Sequence, residues 1–326
     1  MVGTEIATLT HAASLPAAQV ELLERARDYA AGAKADSTRR SYESDWQDFT
    51  TWCMTQGFEP LPATPSVVGL FLTDRAATLK PSSLSRRLAA ISVMHRQAGY
   101  HLDTRHPAIR DVMTGIRRAK AQIGVVTTKK TAAVSDDIRA MVGTLAESPV
   151  GTRDRALLLL GFAGAFRRSE LVALDASDIA VRREGLAVTI RVSKTDQEGA
   201  GCQVAICYGS DPATCPVRAV KAWLAMVGAD GPVFRAINKG GRIGAERLSD
   251  KAVALVVKRT AEAAHLDPAL YAGHSLRSGF ATTAARNGAS EAAIMRQTGH
   301  RSLSVLRGYI RTGGLFNDTA AAKLGL

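Results

Sequence analysis

Apolar residues recur at helical spacing along most of this chain. In the segment 37–56, four aromatic residues follow one another at intervals of three or four: Tyr42, Trp46, Phe49 and Trp52. That spacing places them on one face of a helix, where they can be buried together. The remaining positions of the segment are mostly polar, so the pattern predicts a helix that packs on a core through one side only.

Helix boundaries can be read from capping residues. Gly57 predicts the end of this helix, and Thr64 followed by Pro65 predicts the start of the next, because a capping hydroxyl precedes proline at the first helical position. Similar signals predict the other helices. They are expected at 18–31, from Ser82 onward, at 107–120, after a cap formed by 135–137, and at 153–166, 215–227, 249–264, 268–287, 291–298 and 302–310.

One stretch alternates with a period of two instead. Residues 186–192 read LAVTIRV and predict a strand, and 203–207 is the predicted partner, with the glycine-rich segment 196–201 as the hairpin turn. The expected fold class is therefore mainly α, with a small antiparallel β-sheet in the C-terminal domain.

The length of 326 residues fits two domains. We expect a flexible N-terminal arm over 1–16 and a helical domain over 17–121. Residues 122–133 have weak periodicity and predict a linker. A second domain with a C-terminal tail is expected over 134–326.

The chain is strongly basic, with a formal net charge of +12 and a pI near 9.9. The first 125 residues carry 15 Lys+Arg and 12 Asp+Glu, and the rest carry 27 and 18, so the excess lies mainly in the C-terminal part. Such a charge favours a polyanionic partner, although a merely basic soluble protein would share it.

The four cysteines form no CxxC pair and no histidine stands at zinc-finger spacing, so no structural zinc is expected. We interpret them as reduced thiols of a cytosolic protein. No apolar run is long enough for a bilayer and no secretory signal is visible, so we expect a cytoplasmic protein without membrane contact.

The C-terminal domain contains a set of cations around one hydroxyl. The set comprises Arg167, Lys194, His274, Arg277, His300 and Tyr309. It suits a phosphodiester in DNA. Arginines can bind the phosphate oxygens in bidentate fashion and stay charged. The tyrosine can attack phosphorus, the lysine can protonate the leaving oxygen, and the histidines can exchange a proton or donate to the phosphate.

Each of these residues alone has a simpler interpretation. An arginine at a helix end interacts with the helix dipole, and a lone tyrosine is most often half-buried core. Together, in this order and on suitable elements, they favour catalysis. Cationic residues of the first domain are candidates for DNA phosphate contacts, against the alternative of a solvated helix surface. These candidates are Arg39, Arg40, Lys80, Arg86 and Arg87.

The motifs resemble those of the tyrosine recombinase, or phage integrase, family. They are GAFRRSEL at 164–171, SKT at 193–195, HSLRSGF at 274–280, TGH at 298–300 and GYIR at 308–311. The resemblance implies a core-binding domain over 17–121 and a catalytic domain over 134–326. It assigns the first catalytic arginine to Arg167, three residues before Glu170, and gives Glu170 the role of orienting the cations. Arg168 stands where the family usually has an apolar residue, and is a further DNA-binding candidate.

The resemblance also implies the reaction. Tyr309 would form a 3′-phosphotyrosyl link and free a 5′ hydroxyl, with no metal, ATP or other cofactor. Strand exchange would require a homotetramer on two double-stranded DNA sites, and would serve integration or excision of a mobile element. The family pattern suggests that the tail 315–326 docks on a neighbouring protomer. The protein would then be associated with the nucleoid of a bacterial cell.

Two other functions remain open at this point. A type IB topoisomerase uses similar chemistry and would relax supercoils without a second site. A non-catalytic DNA-binding protein would need neither Tyr309 nor Lys194. A metal-dependent nuclease is disfavoured, because no acidic cluster stands at suitable spacing.

Overall fold

The computed structural model describes residues 16–32, 35–123, 130–191, 201–299, 302–303 and 306–308. The chain divides into two compact units, 1–128 and 129–326. The boundary between them falls within the segment 122–133 that the sequence marks as a linker. Most of the N-terminal arm, residues 1–15, lies outside the described residues, as does all of the tail 315–326.

The first unit contains five described helices. They are α1 (Ala17–Gly32), α2 (Asp36–Gln56), α3 (Pro65–Arg75), α4 (Pro81–Gln97) and α5 (Pro107–Gln122). Two predicted signals act as expected: Gly57 ends α2 in the left-handed conformation, and the Thr64 hydroxyl accepts the Val67 N–H at the start of α3. The start predicted at Ser82 is wrong by one residue, because Pro81 takes the first helical position.

The core of this unit is built from the aromatic face of α2. Phe49 and Phe71 meet edge to face with ring centroids 5.0 Å apart, and Trp52 also contacts Phe71. Leu84 and Ile91 of α4 complete the buried cluster from the other side. Three of the four aromatic residues of the pattern therefore face the core as predicted, with Trp46 packed against the buried cluster that includes Phe49 and Trp52, whereas Tyr42 is half-buried outside this cluster.

The second unit contains seven described helices and five strands. The helices are α6 (Ser135–Gly143), α7 (Pro149–Ala163), α8 (Arg168–Ala173), α9 (Pro216–Val227), α10 (Asp250–Ala263), α11 (His274–Arg286) and α12 (Glu291–Thr298). Helix α7 is apolar on nearly every side, and its residues from Ala156 to Gly161 are all buried. It forms the centre of this unit, and other helices pack around it.

Three of the helices predicted in this unit have wrong boundaries. The helix expected over 153–166 begins at Pro149, where the Ser148 hydroxyl caps it, and ends at Ala163. The helix expected over 268–287 begins only at His274, because the preceding backbone pairs with another segment: the Thr131 N–H donates to Leu270 O. Ser135 is the first residue of α6 rather than its cap.

A three-stranded antiparallel sheet has the order β1 (Ile179–Val181), β2 (Gly185–Ile190) and β3 (Cys202–Cys207). The predicted pairing of β2 with β3 is confirmed, with Leu186 opposite Ile206 and both buried. The sequence pattern missed β1, which has three residues. It also missed a second pair, β4 (Arg235–Ile237) and β5 (Ile243–Arg247), whose side chains are mostly exposed.

Two further expectations from the sequence concern membrane-spanning helices and the state of the cysteines. Within the part of the chain that the structure describes, no helix is both long and apolar enough to cross a membrane. All four cysteines are free thiols. Burial raises the pKa of the Cys53 thiol to about 11, so this side chain behaves as a small apolar residue of the core.

Candidate active site

A sharp turn between α7 and α8 presents the first arginine. Ala165 lies in the left-handed region with φ 52° and is fully buried, which ends α7 before the arginine pair. Arg167 then stands at the N-cap of α8. This turn is the physical reason why the predicted helix through Phe166 is interrupted.

Glu170 holds Arg167 through both carboxylate oxygens. Oε2 accepts the Arg167 backbone N–H at 2.8 Å, and Oε1 accepts Nη1 of its guanidinium at 2.5 Å. Glu170 is 6% exposed and the Arg167 side chain 20% exposed. The carboxylate therefore caps the start of α8 and fixes the direction of the guanidinium, as a charge-assisted hydrogen bond does well in a partly buried place.

Arg277 is the most buried cation of the site, with 3% exposure. It lies on α11, and its Nη1 donates to Ala165 O at 2.7 Å while Nη2 donates to Thr298 O at the end of α12. Because an arginine cannot lose its proton in a protein, the positive charge persists at this depth. Arg277 thereby links the turn that carries Arg167 to Thr298, which lies two residues before His300 in the sequence.

His274 is the first residue of α11, one helical turn before Arg277. Its side chain keeps an exposed face. Burial of the rest of the ring lowers the pKa of His274 below its ordinary value of 6.5, and the positive charges of Arg277, Arg167 and Arg168 lower it further. This shift favours the neutral imidazole, which can accept a proton.

Arg168 points towards the start of α11. A Cβ built on Gly273 would lie 2.0 Å from Cδ and 2.4 Å from Cγ of Arg168, so the arginine stem covers the glycine backbone. Its Nη2 lies 3.9 Å from Asp250 Oδ2, and the side chain is 41% exposed. The second arginine of the pair therefore contacts α11, whereas the first is held by Glu170.

Five of the site residues predicted from sequence thus share one region of the second unit: Arg167, Arg168, Glu170, His274 and Arg277. Three lie outside the described residues, and their roles remain predictions. They are Lys194, His300 and Tyr309. Within the described part of the chain, no group of three His, Cys, Asp or Glu side chains is arranged as a metal site requires.

Sequence reasoning missed the backbone partners of the site. Ala165 O and Thr298 O position Arg277, and Gly273 makes room for Arg168. Gln297 donates to Ala163 O at 3.0 Å and to Ala205 O at 3.2 Å, which links α12 to α7 and β3. Carbonyl oxygens have no signature in a sequence, but the glycine before His274 was a signal that could have been used.

The cations of the first unit fall into two groups. Arg39, Arg40 and Lys80 are exposed, although Arg39 is paired with Asp36 at the same helix end. Arg86 donates from Nε to the buried Asp45 at 2.7 Å and keeps half of its surface in solvent. These four side chains can all present positive charge to a ligand.

Arg87 belongs to the other group. It is only 15% exposed and lies between Asp45 at 3.3 Å and Asp48 at 2.8 Å. Burial by itself would raise the pKa of Asp48, but hydrogen bonds from Arg87 and Arg75 hold it below its ordinary value. In this structure Arg87 joins α2 to α4, and its candidacy for a phosphate contact remains untested.

Comparison with known proteins agrees with the motifs. A sequence profile of the phage integrase family matches residues 134–313. An integrase/recombinase XerD homologue of Selenomonas ruminantium is 40% identical over 297 residues, which cover 90% of this chain and 86% of the relative. The chain belongs to the phage integrase family. This tyrosine recombinase is also 25% identical to the Cre recombinase of Escherichia phage P1, over 89% of this chain and 87% of Cre.

Solved structures show the same fold. A lambda integrase dimer bound to a COC′ core site superposes on the recombinase with a TM-score of 0.62 and 18% identity, covering 91% of this chain and 96% of that one. The post-cleavage complex of XerH with a palindromic difH substrate gives a TM-score of 0.57 and 15% identity, over 80% of this chain and 72% of that one. The family and the mainly α fold class expected from the sequence are confirmed.

Proposed function

We propose that this recombinase cleaves and rejoins double-stranded DNA through a covalent link to Tyr309, without a metal or other cofactor. The observation that carries the proposal is the pair of fixed guanidinium groups, Arg167 and Arg277, whose charges act on His274 and lower its pKa. Two charges that cannot be lost are well suited to the nonbridging oxygens of a phosphate, on which negative charge accumulates as phosphorus becomes five-coordinate.

The remaining steps are assigned by chemistry. The Tyr309 phenol oxygen attacks phosphorus and forms the P–O bond, while the bond to the 5′ oxygen breaks. His274 accepts the phenol proton, and Lys194 donates a proton to the leaving 5′ oxygen. His300 donates a hydrogen bond to the phosphate. Attack by a 5′ hydroxyl of a partner strand reverses the step and restores a phosphodiester, so bond energy is conserved.

Recombination requires that two DNA sites exchange strands. We propose a homotetramer on two sites, an arrangement that is supported by the likeness in fold to a lambda integrase tetramer bound to a Holliday junction, with a TM-score of 0.57 and 17% identity. Sites on separate molecules would give integration, and repeated sites on one molecule would give excision. Integration and excision of a mobile element is the biological outcome that we propose.

A covalent trap tests the chemistry directly. Duplexes with randomised arms and a nick near the centre are incubated in EDTA with wild type, with Tyr309→Phe, and with Tyr100→Phe as a control at an exposed tyrosine of the other unit. The nick lets the short 5′ fragment diffuse away, which prevents religation. We expect a denaturation-resistant adduct on the 3′ phosphate from wild type and from Tyr100→Phe, and none from Tyr309→Phe.

Each of the other possible results would indicate a different function. An adduct that survives in Tyr309→Phe, or cleavage that needs a divalent ion, would contradict the proposal. Relaxation of supercoiled DNA by single protomers, with no strand transfer between selected sites, would indicate a type IB topoisomerase. Enrichment of bound sequences with no adduct would indicate a DNA-binding protein without catalysis.

A further inference from the structure

Arg168 is a residue of the site region that the proposed chemistry does not use. Its aliphatic stem lies on the backbone of Gly273, the residue directly before His274. Gly273 has φ −59° and ψ −20°, which any residue adopts without strain. The absence of a side chain at 273 therefore serves the contact with Arg168 and not the backbone conformation.

The contact connects two segments that carry catalytic groups. Arg168 directly follows Arg167 and begins α8, and Gly273 is the N-cap of α11. The guanidinium lies near Asp250 at the start of α10, and its charge acts on the His274 imidazole. A side chain whose stem is packed on Gly273 in this way restricts the backbone directly before His274, where α11 begins.

We propose that Arg168 is a positioning residue: its stem, seated on Gly273, fixes the first turn of α11 and so places His274 at the scissile phosphate. The inference rests on the proposed function, because it needs His274 to act on the phosphate or on the attacking tyrosine. It assigns Arg168 a role through His274 and not a DNA contact of its own.

Matched variants separate packing from charge. Arg168→Ala removes both, Arg168→Met keeps most of the stem without the charge, and Arg168→Lys keeps both. Gly273→Ala adds one methyl group that displaces the flexible Arg168 stem in an otherwise permitted backbone. Gly143→Ala is the control, since a Cβ at Gly143 meets nothing within 4 Å.

The readout is the single-turnover cleavage rate of the preformed complex, measured beside the dissociation constant for the same DNA. We expect Arg168→Ala and Gly273→Ala each to slow cleavage by about tenfold or more, with DNA affinity nearly unchanged. The double variant should be no slower than either single one, because both remove the same contact. Arg168→Lys should keep most of the wild-type cleavage rate, and Arg168→Met should keep a large part of it.

A phosphate contact would give a different pattern. Arg168→Ala and Arg168→Met would then weaken DNA binding equally and make its salt dependence less steep, while Gly273→Ala would add its effect independently. That outcome, or wild-type rates in both Arg168→Ala and Gly273→Ala, would overturn the inference.

An NMR titration of His274 in the full chain does not depend on cleavage. The charged groups acting on this ring are Arg277, Arg167 and Arg168, with Asp250 beside Arg168. Removing the Arg168 charge should raise the pKa of His274, in Arg168→Ala and Arg168→Met alike. Because both variants lose the charge but only Arg168→Ala loses the stem, the backbone amide shifts of Gly273 and His274 should move in Arg168→Ala and stay near those of wild type in Arg168→Met. Equal movement in both variants would overturn the inference even where no adduct forms, whereas a wild type without adduct would speak only against the proposed function.

Discussion

A single carboxylate holds the first arginine of the candidate active site. Glu170 accepts from the Arg167 backbone and from its guanidinium, and it is itself buried. Removing a buried partner leaves a charged donor unsatisfied, which costs more than the hydrogen bond contributes on balance. The role of orienting the cations, which the family resemblance implied for Glu170, is thus consistent with its contacts, and can be measured.

We predict that Glu170→Ala lowers the free energy of unfolding of the second unit by about 2 kcal/mol, through loss of the cap and of the ion pair. Glu170→Gln keeps one acceptor oxygen and should lose about half as much. Cleavage should slow in the same order. Calorimetry and single-turnover cleavage provide the two measurements, and Glu147→Ala, whose side chain is 87% exposed in its ion pair with Arg155, should change stability by less than about 0.5 kcal/mol.

The same pair of measurements can refute the assignment. If Glu170→Ala destabilises the unit while the preformed complex still cleaves at the wild-type rate, Glu170 supports only the helix start. The direction of the Arg167 guanidinium would then be set by the DNA itself.

At the scale of elements, close approach between backbones restricts the residues that α11 can hold more than helix propensity does. A Cβ on Gly279 of α11 would lie 1.8 Å from Ala133 O, and the Ala133 N–H donates to Ser275 O at 3.0 Å. The chain entering the second unit therefore runs directly along the helix that carries His274 and Arg277. Both contacts involve backbone atoms, which cannot move aside as a side chain can.

We predict that Gly279→Ala destabilises the second unit by about 3 kcal/mol or more, because the extra methyl group must displace this segment or the helix. Gly143→Ala, in open space at the end of α6, should be neutral or slightly stabilising. Hydrogen exchange provides the measurement: in Gly279→Ala the amides of α11 should lose protection, whereas those of α2 should keep it. Equal protection in both glycine variants would show that the segment around Ala133 yields at little cost.

These contacts also show which elements a sequence can reveal. The cap Ser290 was readable, because its hydroxyl accepts the N–H of the residue three positions on; Ser249, expected as the first residue of its helix, is likewise a cap. The C-terminal end of α7 and the start of α11 were not readable, since they depend on Ala165 being left-handed and on pairing of Leu270 with Thr131. In the site, residue types and spacing indicated Arg167, His274 and Arg277, and the family resemblance indicated Glu170, whereas the contact of Arg168 with Gly273 joins distant parts of the chain.

At the scale of the whole molecule, the effect of the formal charge of +12 on DNA binding depends on which cations are exposed. Each arginine or lysine that neutralises a DNA phosphate releases counterions, so the affinity falls more steeply with salt. In the first unit, Arg39 and Arg40 lie exposed in the first turn of α2, whereas Arg87 is enclosed by Asp45 and Asp48. The two kinds of arginine should therefore contribute differently to DNA binding.

We predict that the double variant Arg39→Gln, Arg40→Gln reduces the slope of log affinity against log salt by about 2, roughly one for each phosphate contact. Arg87→Gln should leave that slope unchanged and instead destabilise the first unit, because the buried Asp45 loses one of its two arginine partners. Fluorescence anisotropy on one recombination site at several salt concentrations, with urea unfolding of the same proteins, provides both quantities. If the slope follows Arg87 and not the exposed pair, the DNA-facing surface of this unit lies along the Asp45–Asp48 face of α2 and α4, away from the start of α2.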